Sequence, residues 1–301
     1  GLKGPFRLLS LMGAIFRTAR WADVVTLHGS TTGLFINAPI SVMAAKLFGK
    51  GSVIRNFGGR DYGEFPAWRR GLVHRSVKAA DLYLVEPKRL LEAGKSRGIE
   101  HIRVFPNSRP MRPLPDESQS DTRTCRKFVY LGHIRRDKGI DLMIEAGERF
   151  GEEVSVDVYG PMRFDMNESD FAGLKRVRYG GVLDPADVAA ALFKYDALLL
   201  PTFYPGEGHP GVILEAYAAG IPVIASRWMG IPEVVPDGMG VLIEPRDAGA
   251  LYEAMRELTE NDTFYAQLRD AVRNGRVFFS QEQRTEEFVA YCRKIAGGET
   301  L

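Results

Sequence analysis

Two carboxylates eight positions apart, Glu207 and Glu215, bracket a loop rich in Gly and Pro, GEGHPG (206–211), that runs into the apolar stretch GVILEAYAAG. The segment begins at the carboxyl end of a buried-strand run, ALLLP (197–201), where ligands of doubly wound sheets bind. Unpaired amides at the helix start, around Gly211, Val212 and Ile213, present the positive end of a helix dipole to an anion. A phosphate fits there. Acceptors on either side of it suit the hydroxyls of a nucleotide sugar, ribose on one side and a transferred hexose on the other. The plainer alternative makes Glu207 a solvated loop residue and Glu215 a helix-surface charge. Upstream, YLGHIRRDKGIDLMIEA (130–146) carries Lys138. By itself it reads as a lysine at a helix start.

The elements that must position these residues follow from hydrophobic periodicity. Short β-branched or apolar runs alternate with helical periods along the whole chain, the pattern of α/β domains with parallel sheets. In the first part, strands are expected at 23–28, 52–57, 81–85 and 102–105, with helices near 5–20, 34–48, 67–79 and 87–97. In the second, strands are expected at 128–132, 154–159, 176–180, 197–201, 222–226 and 240–244. Helices near 138–150, 185–195, 211–219 and 247–259 cross between them, and two more follow at 262–275 and 281–295. Between these parts lies NSRPMRPLPDESQSDTRTCRK (107–127), rich in Pro and small polar residues and with almost nothing to bury. The expected organisation is a first Rossmann-like domain over 1–112, a linker over 113–126, a second Rossmann-like domain over 127–280, and a last helix within 281–301 that crosses back to the first.

The segment PTFYPGEGHPGVILEAYAAGIPVIASRWMGIPEVV (201–235) resembles the second-domain signature of family 4 retaining glycosyltransferases with the GT-B fold. That signature is a Glu, seven residues, a second Glu, a small-residue helix, a strand and a Gly-Ile-Pro-Glu-Val turn. The resemblance covers most of Phe128 to Glu244. It implies two Rossmann-like domains facing across a cleft, with the second holding a nucleotide-diphosphate sugar and the first presenting a hydroxyl acceptor. It further implies that Glu207 binds donor-sugar hydroxyls, that Glu215 binds the ribose, and that amides at Gly211, Val212, Gly230 and Ile231 hold the diphosphate. The family also places Gly-Arg, four residues and Lys-Gly on the first strand and helix of this domain. In the family that Arg and Lys neutralise the departing diphosphate; here Lys138 and Gly139 keep the second half, which implies that role for Lys138, but His133, a weaker and pH-dependent charge, stands where the Arg belongs, and Arg135 or Arg136 is the available substitute. In the first domain WADVVTLHGS (21–30) resembles the strand and His turn of the family. Phe57 occupies the place of a further His, which leaves His28 either as a site residue or as a cap on its turn. Gly58 and Gly59 permit close backbone approach, and Arg60 with Asp61 either reads a polar acceptor or pairs internally.

Composition narrows the remaining classes. Over 301 residues, 45% hydrophobic and 26% charged content is globular and implies about two domains. Two cysteines, Cys125 and Cys292, are too few for a disulfide framework or a zinc site. No Asp-x-Asp triplet occurs, so no metal and no cofactor beyond the sugar donor is expected. No Ser, His and Asp set stands in a nucleophile-elbow context. No stretch reads as a membrane span or secretory signal, so a cytoplasmic location is expected. Residues 1–113 hold 19 Lys and Arg against 7 Asp and Glu, and the remainder holds 21 against 31. The basic part either spreads its charge over solvated helices or meets an anionic membrane. The first helix, PFRLLSLMGAIFRTAR, either covers its own sheet or lies on anionic lipid as a peripheral anchor at the inner face of the membrane. The expected partners are thus a nucleotide sugar, a sugar or lipid-linked acceptor and anionic lipid, without nucleic acid. Transfer in cell-surface polysaccharide or glycolipid synthesis is the expected role. The alternatives are a nucleotide-sugar epimerase on the same fold, or a non-catalytic subunit of a split glycosyltransferase. Against the resemblance, the first domain is expected to be partial, without its opening strand and Gly-rich turn, which would leave Asp23–His28 as an open edge for a partner chain; the alternative is a compact variant that closes its sheet differently.

Overall fold

The apolar runs of the sequence assemble into two parallel sheets, one in each of two compact units of a computed structural model that describes residues 4–114, 124–163, 165–299 and 301. Unit 1 comprises Gly1–Pro106 with Glu282–Leu301, and unit 2 comprises Asn107–Gln281. Most of the stretch read as a linker, 115–123, lies outside the described residues.

In unit 1 the strands β1 (Val24–Ser30), β2 (Gly51–Phe57), β3 (Leu82–Val85) and β4 (Ile102–Val104) lie in that order. Helices α1 (Gly4–Ala19), α2 (Thr31–Leu47), α3 (Ala67–Ala79) and α4 (Lys88–Ser96) connect them. The period-two alternation of a strand sends neighbouring side chains to opposite faces. Ile54, Tyr83 and Val85 thereby join Leu34, Ala38 and Val77 in one core. Val53, Leu82 and Leu84 point the other way. That second face is covered by the last helix of the chain, Gln281–Ala296, through Ile295 and Phe288. Among the described residues β1 pairs only with β2. The side chains of 4–9, which carry much of the apolar face expected for α1, lie outside the described residues.

Unit 2 is a six-stranded parallel sheet built from β5 (Lys127–Leu131), β6 (Ser155–Tyr159), β7 (Val177–Tyr179), β8 (Ala197–Leu200), β9 (Val223–Ser226) and β10 (Gly240–Ile243). The spatial order is β10-β9-β8-β5-β6-β7. Strand order reverses between β5 and β8, so the crevice for ligands lies beyond their carboxyl ends. Its helices are α5 (Ile140–Gly147), α6 (Val188–Leu192), α7 (Gly211–Ala218), α8 (Ala248–Glu260) and α9 (Asp262–Gly275), and the terminal helix of unit 1 is therefore α10. Two helices are shorter than their periodicity implies. The stretch 138–150 splits into a 3-10 turn at Arg136–Lys138 and α5, because Gly139 between them sits at φ 80°. A Cβ at Gly139 would lie 2.3 Å from the Pro201 carbonyl oxygen, so glycine alone lets the loop after β5 close onto the loop after β8. The stretch 185–195 is helical only over α6, with Asp187 making no side-chain cap.

Candidate active site

Beyond the carboxyl ends of β5 and β8, unit 2 encloses a pocket of about 690 Å³. Its floor is the loop after β5, where the Gly132 amide donates to the Tyr159 carbonyl (3.1 Å) and the Ile134 amide to the Pro161 carbonyl (3.0 Å). A Cβ at Gly160 would come within 1.8 Å of the Gly132 carbonyl oxygen, so the loops after β5 and β6 meet backbone to backbone. His133 stands on this floor. Desolvation, together with the positive charges of Arg163, Lys138 and Arg135, holds its pKa below the ordinary value. The imidazole in the empty pocket therefore takes up a proton less readily than an ordinary histidine.

Two ion pairs line the pocket. Lys138 Nζ donates to Glu207 Oε2 at 2.7 Å, and the Thr202 hydroxyl donates to the same oxygen at 2.9 Å. Glu207 is buried. The Lys138 ammonium also lies 4.5 Å from the centre of the Tyr204 ring, an attractive cation–π geometry. Tyr204 is held in turn by the Trp228 indole N–H, which donates to its carbonyl at 2.8 Å. In the second pair, also on the pocket wall, Arg109 Nε donates to Glu215 Oε1 at 2.9 Å. The residues around Glu215 in α7, Ile213, Leu214, Ala216 and Tyr217, are all buried, which leaves Glu215 on the helix face turned to the pocket. Gly211 and Val212 line the pocket at the start of α7. As the first residues of a helix they have no intrahelical acceptor for their amides. The Ile213 amide, also expected to be free, donates to the Pro210 carbonyl at 3.2 Å.

The other anticipated residues lie elsewhere. Arg136 is half-exposed and grips Asp141 with two hydrogen bonds of 2.7 and 2.8 Å. It does not line the pocket. Gly230 and Ile231 are also outside the lining. The Ile231 amide donates to the Trp228 carbonyl at 3.0 Å and its side chain is fully buried, so that amide is not open to a ligand. Gly230 instead backs the loop that carries Glu207, since a Cβ there would lie 2.7 Å from the Gly208 carbonyl oxygen. In unit 1, His28 packs between the rings of Phe288 (5.1 Å) and Phe57 (6.1 Å). Desolvation and the nearby Arg55 charge lower its pKa. Arg60 is exposed, 3.4 Å from Glu64. It does not pair with Asp61, whose carboxylate is taken by Arg97 through hydrogen bonds of 2.8 and 2.6 Å.

Sequence reading missed four contributors. Arg109 sits in a Pro-rich stretch with the composition of a linker, and Thr202 and Tyr204 sit in a loop with no local pattern that singles them out. His209, buried with its Nε2 3.4 Å from Glu233, ties the Glu207 loop to the Gly-Ile-Pro-Glu turn. The signal available for the last pair was a polar residue in each of two otherwise apolar loop segments. Among the described residues no three His, Cys, Asp or Glu side chains converge to hold a metal, and no helix is long and apolar enough to cross a membrane.

Comparison with known proteins bears on the same region. Residues 125–261 match the family Glycosyl transferases group 1. A glycogen synthase of Mycobacterium tuberculosis is 27% identical over 218 residues, covering 66% of this chain and 52% of that protein. A phosphatidyl-myo-inositol mannosyltransferase of Mycobacterium leprae is 32% identical over 180 residues, 56% of this chain and 48% of that protein. The chain thus spans about half the length of these curated relatives. Among solved structures, Anabaena HepE in complex with UDP aligns with a TM-score of 0.78 at 18% identity, over 95% of this chain and 82% of that one. Sucrose-phosphate synthase from Thermosynechococcus elongatus aligns with a TM-score of 0.69 at 19% identity, over 91% and 74%. The chain is accordingly built on the α/β fold of GT-B glycosyltransferases, and the pocket's lining, Arg109 apart, falls within the residues that match the Glycosyl transferases group 1 family.

Proposed function

We propose that this pocket binds a nucleotide-diphosphate sugar and that the protein transfers the hexose to a hydroxyl acceptor with retention of configuration and without a metal ion. Such a reaction belongs to the synthesis of cell-surface polysaccharide or glycolipid. The observation that carries the reading is the pair of opposed ion pairs, Lys138 with Glu207 and Arg109 with Glu215, flanking the start of α7 in one pocket. Cations placed beside carboxylates there match a ligand that is anionic in the middle and rich in hydroxyls at both ends. The M. leprae relative named a mannosyltransferase and the neighbour solved with UDP and glucose support the same class of ligand.

In this reading the diphosphate lies at the Gly211 and Val212 amides. Glu215 accepts from ribose hydroxyls, and Glu207 accepts from hexose hydroxyls and orients the anomeric carbon. As the bond from that carbon to the phosphate oxygen breaks, Lys138 offsets the charge left on the diphosphate. The acceptor oxygen forms its new bond on the same face of the sugar, and its proton passes to the departing phosphate oxygen. No protein base is required.

The test is incubation with UDP-, GDP- and ADP-hexoses, with and without simple glycoside and lipid-linked acceptors, in buffer containing EDTA. Release of nucleoside diphosphate that depends on acceptor, with a retained anomer by NMR, is the expected result. Conversion of the sugar nucleotide without acceptor would identify an epimerase instead. Tight nucleotide binding with no turnover on any acceptor would identify an accessory subunit, and dependence on added divalent metal would sink metal-independent transfer.

A further inference from the structure

Arg109 opens unit 2, and its backbone is fixed by the other end of that unit. Its amide donates to the Phe279 carbonyl at 3.0 Å, and its carbonyl accepts from the Gln281 amide at 2.9 Å. The side chain thus starts from an anchored position. Its Nη1 donates to the Ser108 carbonyl at 3.0 Å and approaches Asn107 Oδ1 at 3.4 Å, while Nε holds Glu215. The remaining nitrogen, Nη2, leans over the first residue of α7, within 2.0 Å of where a Gly211 Cβ would stand. The guanidinium therefore covers both the carboxylate assigned to ribose and the amides assigned to phosphate. The side chains of the pair are 28% and 31% exposed on the pocket wall, so a ligand can reach both partners.

The pocket has a cation on its Glu207 side, Lys138, but the position after Gly132 holds His133, whose pKa burial and the neighbouring cations lower. Of the two arginines next in sequence, Arg135 is taken by Asp137 and Arg136 by Asp141. Resting on the reading of this pocket as a nucleoside diphosphate site, we propose that Arg109 is its second diphosphate cation. It releases Glu215 to the ribose when the donor enters and turns its guanidinium onto the phosphates. The empty pocket then holds its two cations and two carboxylates paired with one another, and the donor exchanges those partners in one event. A guanidinium suits the exchange because its planar fork meets carboxylate and phosphate oxygens in the same geometry.

Arg109→Gln and Arg109→Lys test the assignment in the full chain. Calorimetry measures the nucleoside diphosphate that binds the parent most tightly among UDP, GDP and ADP, and ligand-observed NMR measures the matching nucleoside. The expected result is a loss of about tenfold or more in diphosphate affinity for Arg109→Gln, the scale of one charge-assisted hydrogen bond. Nucleoside affinity should be unchanged or improved, and Arg109→Lys should recover part of the diphosphate affinity. Equal losses for diphosphate and nucleoside would overturn the proposal, because Arg109 would then only hold Glu215 in place. Unchanged diphosphate affinity would overturn it as well. Failure of the folded parent to bind any nucleotide is a different outcome, since it removes the donor-pocket reading on which the proposal stands.

Discussion

Replacing Glu207 by Gln removes the charge that holds Lys138 in the free protein. Glu207 is 8% exposed and the Lys138 side chain 15% exposed, so the 2.7 Å contact between them is well shielded from water. A charge-assisted hydrogen bond of this kind is worth about 1.5 to 3 kcal/mol. The Tyr204 ring stays 4.5 Å from the ammonium and Gln still accepts a hydrogen bond, so the lower end, about 1.5 kcal/mol, is the working figure. That loss falls on the free state alone, because in the complex Lys138 faces phosphate in parent and variant alike. The variant should therefore bind nucleoside diphosphate about tenfold more tightly than the parent. Its free form should melt about 3 to 6 °C lower. Transfer to acceptor should fall by about a hundredfold or more, since the hexose loses the group that aligns it. Calorimetric titration of the diphosphate into parent, Glu207→Gln, Lys138→Met and the double variant measures the exchange directly, and the gain should vanish in the Lys138→Met background. Equal or weaker diphosphate binding by a folded Glu207→Gln would refute the reasoning, as the pair would then be a permanent strut.

Glu215→Ala should weaken nucleoside and nucleoside diphosphate by about tenfold or more, from the lost ribose hydrogen bonds; binding that matches the parent in titration would remove Glu215 from the ribose site. Acid should destabilise the fold early, because burial first of all lowers the pKa of His28, His74, His133 and His209 below 6.5. Between those lowered values and 6.5 the unfolded chain binds more protons, so stability is full above about pH 6.5 and declines as pH falls below it. Urea unfolding at pH 7.5 and 5.5 measures the decline, which His209→Gln should reduce; equal stability at the two pH values would contradict it. Ile295→Ala on α10 should cost about 2 to 4 kcal/mol in chemical denaturation, because Ile295 fills the space above Gly51 and closes the core of Val53, Leu82 and Leu84; a change under about 0.5 kcal/mol would mean that α10 is only loosely seated. Unit 1 exposes Trp21, Leu47 and Trp68 at 79%, 66% and 63% amid the surplus of Lys and Arg. Its expected co-sedimentation with anionic vesicles should fade at high salt, and binding that is absent at low salt would rule out an electrostatic surface.

The amino-acid sequence by itself determined where strands and helices run and which residues carry charge into the second sheet's loops. Apolar runs such as ALLLP and PVIAS are local signals, and β8 and β9 fall inside them. The eight-residue spacing of Glu207 and Glu215 is likewise local, because Glu207 precedes α7 and Glu215 is its fifth residue, just over one turn in. Pairing was decided by tertiary structure. Lys138 meets Glu207 across 69 positions, and Arg109 meets Glu215 across 106. The first contact depends on β8 lying beside β5 rather than following it in sequence, and the second on the backbone bonds that tie Arg109 to Phe279 and Gln281. The same holds for Asp61, which lies next to Arg60 in the chain but bonds to Arg97, 36 positions away. Adjacent side chains on an extended or turning backbone diverge, whereas packing of α4 brings a distant guanidinium into line with the carboxylate. The lowered pKa of His133 is also set in space, by desolvation first and then by Arg163, Lys138 and Arg135 around it. Sequence neighbours specify the backbone path through local sterics and burial, but the electrostatics of a site are a sum over whatever the sheet order brings within a few ångströms.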